Sequence, residues 1–126
     1  MKPHEEWLFK AGNDLDSAEI LMNASKPLYD IAIYHTQQCA EKALKSYLAF
    51  KEQEIDKIHN LIVLNNLCSQ FDAEFLSIRD DALFLNPYST LYRYPEGDLM
   101  PSKDEVEKAV DTALKIFEFV KNKISS

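Results

Sequence analysis

Glycine is scarce, with 2 residues in 126, and proline contributes only 5. So little turn chemistry excludes collagen-like chains and the turn-rich all-β classes, and leaves no material for a Walker loop, a Gly-rich dinucleotide turn or a GxSxG elbow. Cysteine is limited to Cys39 and Cys68, which fall inside helical patterns without CxxC spacing. Two buried free thiols are therefore expected, as suits a reducing cytoplasm. Arginine occurs twice, at Arg79 and Arg93, and the 14 basic residues are outnumbered by 21 acidic ones, for a net charge of −7. That balance opposes the broad basic footprint of a protein that coats RNA or DNA, while leaving room for a local cationic site. No stretch of about 18 apolar residues occurs, and the acidic N-terminus, Met1 to Trp7, lacks the apolar run of a signal peptide. Neither a membrane span nor a secretory leader is expected. HExxH, zinc-spaced His/Cys quartets and paired Glu-x-x-His motifs are missing too, so no metal or cofactor is expected.

What is present is helical. With 46% hydrophobic and 28% charged residues, the chain is a single domain, 1–126, long enough to bury about two-thirds of its unfolded surface. Trp7, Ala11, Leu15, Ala18 and Met22 recur at helical spacing after Pro3, Glu5 and Glu6, predicting a first helix to about Asn23. Lys26-Pro27 breaks it. A second helix from about Leu28 to Phe50 carries Tyr29, Ala32, Ala40, Ala43, Leu44, Tyr47 and Leu48 on a broad apolar face, and belongs at the centre of a bundle. A polar connection from Lys51 to Lys57 leads to a short amphipathic helix from about His59 to Ser69. A fourth helix is expected from near Asp72 to Asn86-Pro87. Tyr94 to Gly97 reads as a type I turn. Ser102 with Glu105 makes a capping box that opens a last helix with Val106, Val110, Ala113, Phe117, Val120 and Ile124 as its packing seam. The fold class is thus all-α: an up-and-down antiparallel four-helix bundle with a short additional helix.

Three groups of residues stand out as carriers of chemistry. Gln38, Glu41, Lys42 and Lys45, with Tyr34 close by, fall within one arc of the second helix. They make either a solvated face with an i,i+4 Glu41–Lys45 pair, whose lysines cost little to truncate, or a cationic groove for phosphate. Tyr88, Tyr92 and Tyr94 surround Arg93, a planar fork among stacking rings that suits nucleotide or RNA contact, or equally a loop pinned onto the bundle. His59 is placed to cap a helix or to act as an acid, base or phosphate ligand. His35 reads as a core imidazole and His4 as terminal and exposed.

Trp7-x3-Ala11-x2-Asp14-Leu15-x2-Ala18, Gln37-Gln38-Cys39-Ala40-Glu41-Lys42-Ala43-Leu44-Lys45, His59-Asn60-Leu61 and Tyr92-Arg93-Tyr94-Pro95 together resemble the stand-alone prokaryotic HEPN (higher eukaryotes and prokaryotes nucleotide-binding) family over nearly the whole chain. The resemblance implies a commonly dimeric bundle, encoded beside a minimal nucleotidyltransferase in toxin–antitoxin-like pairs. In some pairs that partner attaches nucleotides to a tyrosine of the bundle. It further implies that Gln38, Lys42, Lys45, His59, Tyr92 and Arg93 line a groove beside the second helix. There Lys42, Lys45 and Arg93 neutralise phosphate, Tyr92 stacks or hydrogen-bonds, and Gln38 and His59 fix orientation. Several branches of the family are metal-independent ribonucleases with an Arg followed by a His after four to six residues. Here the corresponding positions hold Phe84, Leu85 and Asn86 after Arg79, and Asp98, Leu99 and Met100 after Arg93, so that signature is missing. A nucleotide-binding or partner-binding bundle is the leading expectation. A ribonuclease with a rearranged His59/Arg93 site and a non-catalytic oligomeric adaptor are the alternatives.

Overall fold

The computed structural model describes residues 1–55 and 57–125. Its elements run α1 (Pro3–Asn23), α2 (Tyr29–Phe50), α3 (Leu61–Phe71), α4 (Arg79–Leu85) and α5 (Lys103–Ser125), with 3-10 stretches at Ala73–Ile78 and Asn86–Ser89. No strand occurs among the described residues. Five residues link α1 to α2, too few for anything but an antiparallel pair. α2 lies between α1, α3 and α5, and α4 bridges α3 to α5.

The central position of α2 follows from its side chains. Alanines at 32, 40 and 43 are fully buried, as are Ala11 and Ala18 of α1 and Ala109 and Ala113 of α5, so the helices approach closely with little side chain between them. Every residue from Ala43 to Leu48 is buried, as a helix needs when neighbours cover it all round. The expected stripes of α1 and α5 do pack inward: Ala11, Leu15 and Ala18 on one, Val106, Val110, Ala113 and Val120 on the other. Both cysteines are buried free thiols, and desolvation raises the pKa of each well above the usual thiol range.

The helix ends differ from the sequence reading in instructive ways. α2 stops without glycine: Glu52 takes the left-handed conformation (φ 57°), its N–H donating to Ala49 O at 2.9 Å and that of Gln53 to Leu48 O at 2.9 Å. The expected polar connection after it, which includes residue 56, outside the described residues, holds a buried Ile55. α3 begins two residues late because Asn60, not His59, is its cap, accepting from the Ile62 and Val63 N–H groups. The helix expected from Asp72 opens instead as a 3-10 stretch, its first turn held by the Asp72 carboxylate accepting Glu74 N–H, and only from Arg79 does it relax into α4. At α5 half the capping box is made. Ser102 Oγ accepts Glu105 N–H at 3.1 Å, but the Glu105 carboxylate is engaged by Tyr88 and Tyr92. The bend at Tyr94 closes through Glu96 N–H to Tyr94 O at 2.8 Å, a tighter turn than the four-residue one expected, and Gly97 takes φ 71°.

Phe75, fully buried, joins the layers: its ring lies 4.5 Å from that of Tyr47 on α2 and 5.0 Å, edge-on, from that of Phe119 on α5. Phe75→Ala is expected to cost about 3–5 kcal/mol, lowering Tm by roughly 10–20 °C in a thermal melt.

Candidate functional site

The polar arc of α2 is not a solvated face. The Glu41 and Lys45 side chains are only 6% and 3% exposed, and they form a buried pair with Lys45 Nζ 3.1 Å from Glu41 Oε2. Trp7 of α1 covers the ammonium group, its ring centroid 5.3 Å away. The same Glu41 Oε2 accepts His59 Nδ1–H at 3.0 Å, and Glu41 Oε1 takes a longer bond from Gln37 Nε2 at 3.4 Å. Gln37 Nε2 also reaches the His59 carbonyl, and Gln38 Nε2 donates to Gln37 Oε1 at 2.7 Å. A carboxylate only accepts, so His59 donates through Nδ1 and carries Nε2 outward on a ring that is 70% exposed. Gln37, fully buried, appears in the sequence analysis only within the Gln37–Lys45 block and not among the expected groove residues. Its place beside Glu41, four residues away on one helix face, was the available signal.

Lys42 points elsewhere, because one helical step carries it round to α1. Its Nζ lies 2.6 Å from Asp14 Oδ2, and Asp14 Oδ1 accepts His35 Nδ1–H at 2.8 Å. Asp14 is buried, and both of its partners are half-buried. His35 is thus a satisfied imidazole at the α1–α2 seam, as expected. Asp14, which the sequence offers only within the Trp7–Ala18 motif and not among the expected groove residues, is what holds Lys42 and His35 at this seam.

The Tyr–Arg cluster makes the third arrangement. Tyr88 Oη donates to Glu105 Oε2 at 2.5 Å, and Tyr92 Oη sits 3.2 Å from both oxygens of the same carboxylate. The two rings lie nearly parallel, 11° apart with centroids at 6.3 Å. Burial first, then the Glu105 hydrogen bond and charge, push the Tyr88 hydroxyl well above the usual phenol range; burial and Glu105 raise Tyr92 as well. Tyr92 adopts φ 69°, a left-handed conformation that costs a bulky residue about 1–2 kcal/mol. Immediately after it, Arg93 returns over α2, its guanidinium carbon 4.2 Å from the Tyr34 ring centroid. Arg93 is exposed, and no carboxylate among the described residues pairs with it.

Of the six residues expected to line one groove, then, Gln38, Lys45 and His59 share a hydrogen-bonded network, and Arg93 joins their helix face through Tyr34, one turn from Gln38. Asn86 ties these parts together: its Oδ1 accepts the Leu61 N–H at 2.8 Å, linking the start of α3, beside His59, to the segment that leads to Arg93. Lys42 faces α1, and Tyr92 faces α5. No group of three metal-ligating side chains occurs among the described residues, and no helix among them is long and apolar enough to cross a membrane.

Comparison with known proteins agrees with this architecture. The HEPN domain profile matches residues 4–123. The chain belongs to the HEPN family. This HEPN domain superposes on the crystal structure of ST0689, an archaeal HEPN homologue, with a TM-score of 0.79 and 28% identity, covering 98% of this chain and 99% of that one. It is also 25% identical over 127 residues to a Methanocaldococcus jannaschii protein named "Putative toxin MJ1304", covering 90% of this chain and 82% of that protein.

The buried pair generates a test. Lys45→Ala strands the Glu41 carboxylate, so it is expected to cost about 3 kcal/mol in urea unfolding, far from the ~0.5 kcal/mol of a solvated pair. The Glu41→Gln/Lys45→Met double variant is expected to recover most of that loss.

Proposed function

We propose that this HEPN domain is a nucleotide-binding and partner-binding module that works with a minimal nucleotidyltransferase in a toxin–antitoxin-like pair, as a cytoplasmic homodimer. The observation that carries the reading is Arg93: a guanidinium laid on an aromatic face, open to solvent and with no carboxylate paired to it among the described residues, is a ready fork for phosphate. Gln38 lies one turn along α2 from Tyr34, and His59, bonded to Glu41 one turn further on, leaves its ring exposed. Tyr34 and Glu41 are seven residues apart, about 10 Å along the helix, a separation that a nucleoside polyphosphate can bridge between Arg93 and His59. Lys45 and Lys42, whose charges are already matched by Glu41 and Asp14, hold the surface in shape rather than meet the ligand. The similarity to a protein named as a toxin supports the pairing, and the net charge of −7 favours a nucleotide or a protein over long RNA.

A ribonuclease reading draws on one observation, that His59 and Arg93 are both exposed on one face, where an imidazole and a guanidinium facing a second copy would supply a proton shuttle and a phosphate clamp. An oligomeric adaptor that binds no nucleotide is the remaining alternative.

Calorimetric titration with ATP and GTP separates them. Binding by the wild type that weakens at least tenfold in Arg93→Ala, with Tm unchanged, is the expected result. RNA cleavage by the wild type that is lost in His59→Ala would favour the ribonuclease, and absence of both binding and cleavage would favour the adaptor.

A further inference from the structure

We infer that Glu105, Tyr88 and Tyr92 act as a latch that positions Arg93 on α2, so that three residues outside the ligand-facing surface set its competence. The inference rests on the reading of Arg93 as the ligand-facing group, and it begins from a carboxylate in an unusual employment. Glu105 is the third residue of α5, where a glutamate paired with Ser102 ordinarily reaches back toward the N-cap. Here both of its oxygens are instead drawn out to two phenols, one at 2.5 Å and the other at 3.2 Å from each oxygen. The helix keeps its Ser102 cap, and the glutamate side chain serves the preceding loop.

That loop has little else to hold it. Every residue from 93 to 100 is exposed, including Tyr94, Leu99 and Met100. Upstream the chain is tied turn by turn, Leu91 N–H to Pro87 O at 2.9 Å and Arg93 N–H to Thr90 O at 3.1 Å, and Tyr88 is buried. Tyr92 is the last partly buried residue before this exposed run, and it is held in the left-handed region that an aromatic residue avoids. The reversal at Tyr92 has a clear geometric result: its phenol goes to the start of α5, while the next side chain, Arg93, goes to Tyr34 on α2. The two-phenol bond to Glu105 and the parallel Tyr88–Tyr92 rings are what hold that reversal. Because burial and the adjacent carboxylate keep both phenols protonated, the latch stays closed through neutral pH.

The test uses the full chain and two readouts, one of them independent of any ligand. In the wild type the Tyr34 ring shifts the Arg93 Nε–Hε resonance by its ring current; Tyr34→Leu supplies the unshifted reference. Tyr92→Phe and Glu105→Ala are expected to move that resonance to the reference position and to weaken ATP binding at least fivefold, with no further loss when either is combined with Arg93→Ala. Glu105→Gln, which keeps an acceptor, is expected to fall between. Should Glu105→Ala fail to fold, Tyr92→Phe, which removes a single oxygen, carries the test alone. An unmoved Arg93 resonance in Tyr92→Phe overturns the latch, even where Arg93→Ala abolishes ATP binding and the proposed function stands. If the wild type binds no ATP, the resonance still decides: collapse on unlatching supports the latch, persistence overturns it.

Discussion

A carboxylate sunk into the middle of the central helix must be matched by positive charge and hydrogen-bond donors, and the way Glu41 is matched shapes the surface around it. One donor comes from the same helix, Lys45 a turn later, roofed by Trp7 of α1. A second, His59, comes from the segment that precedes α3. α1, α2 and the entry to α3 thereby meet at one ion cluster. Gln37 and Gln38 extend it toward Tyr34, and from there to Arg93. Taking away the Glu41 or the Lys45 charge leaves the other in a place where water cannot fully replace it.

This arrangement separates cations that look alike in the sequence. Lys42, Lys45 and Arg93 carry the same formal charge, yet two of them lie 2.6 and 3.1 Å from carboxylates and one lies across an aromatic ring in the open. A cation already matched gains little from a phosphate, because the incoming anion must displace an existing partner; an unmatched guanidinium has no such competition. The same distinction applies to the two internal histidines. Each gives Nδ1 to a carboxylate, but His35 sits in the α1–α2 seam with its side chain 27% exposed, whereas His59 leaves a ring that is 70% exposed.

The bundle was largely legible in the sequence because apolar periodicity, Pro breaks and the Ser102 cap are local signals, and local signals suffice to place long helices. Boundaries failed where a long-range or backbone device replaced the expected residue: Glu52 in the role of a C-terminal glycine, Asn60 displacing His59 as the cap, and a 3-10 stretch opening the fourth helical segment. The site was legible only in part. The spacing of Gln38, Glu41 and Lys45 put them on one face, but spacing alone cannot tell a wet face from one buried under Trp7. The diversion of Glu105 from its helix cap to Tyr88 and Tyr92, residues 17 and 13 positions away, likewise left no mark in any local pattern.

The division of labour among these cations is the central claim, and nuclear magnetic resonance titration with inorganic pyrophosphate tests it most directly. Progressive shifts are expected at the side chains of Arg93, His59 and Gln38, with the Lys42 and Lys45 ammonium signals unmoved. Shifts centred on Lys42 and His35, with Arg93 unaffected, would contradict it.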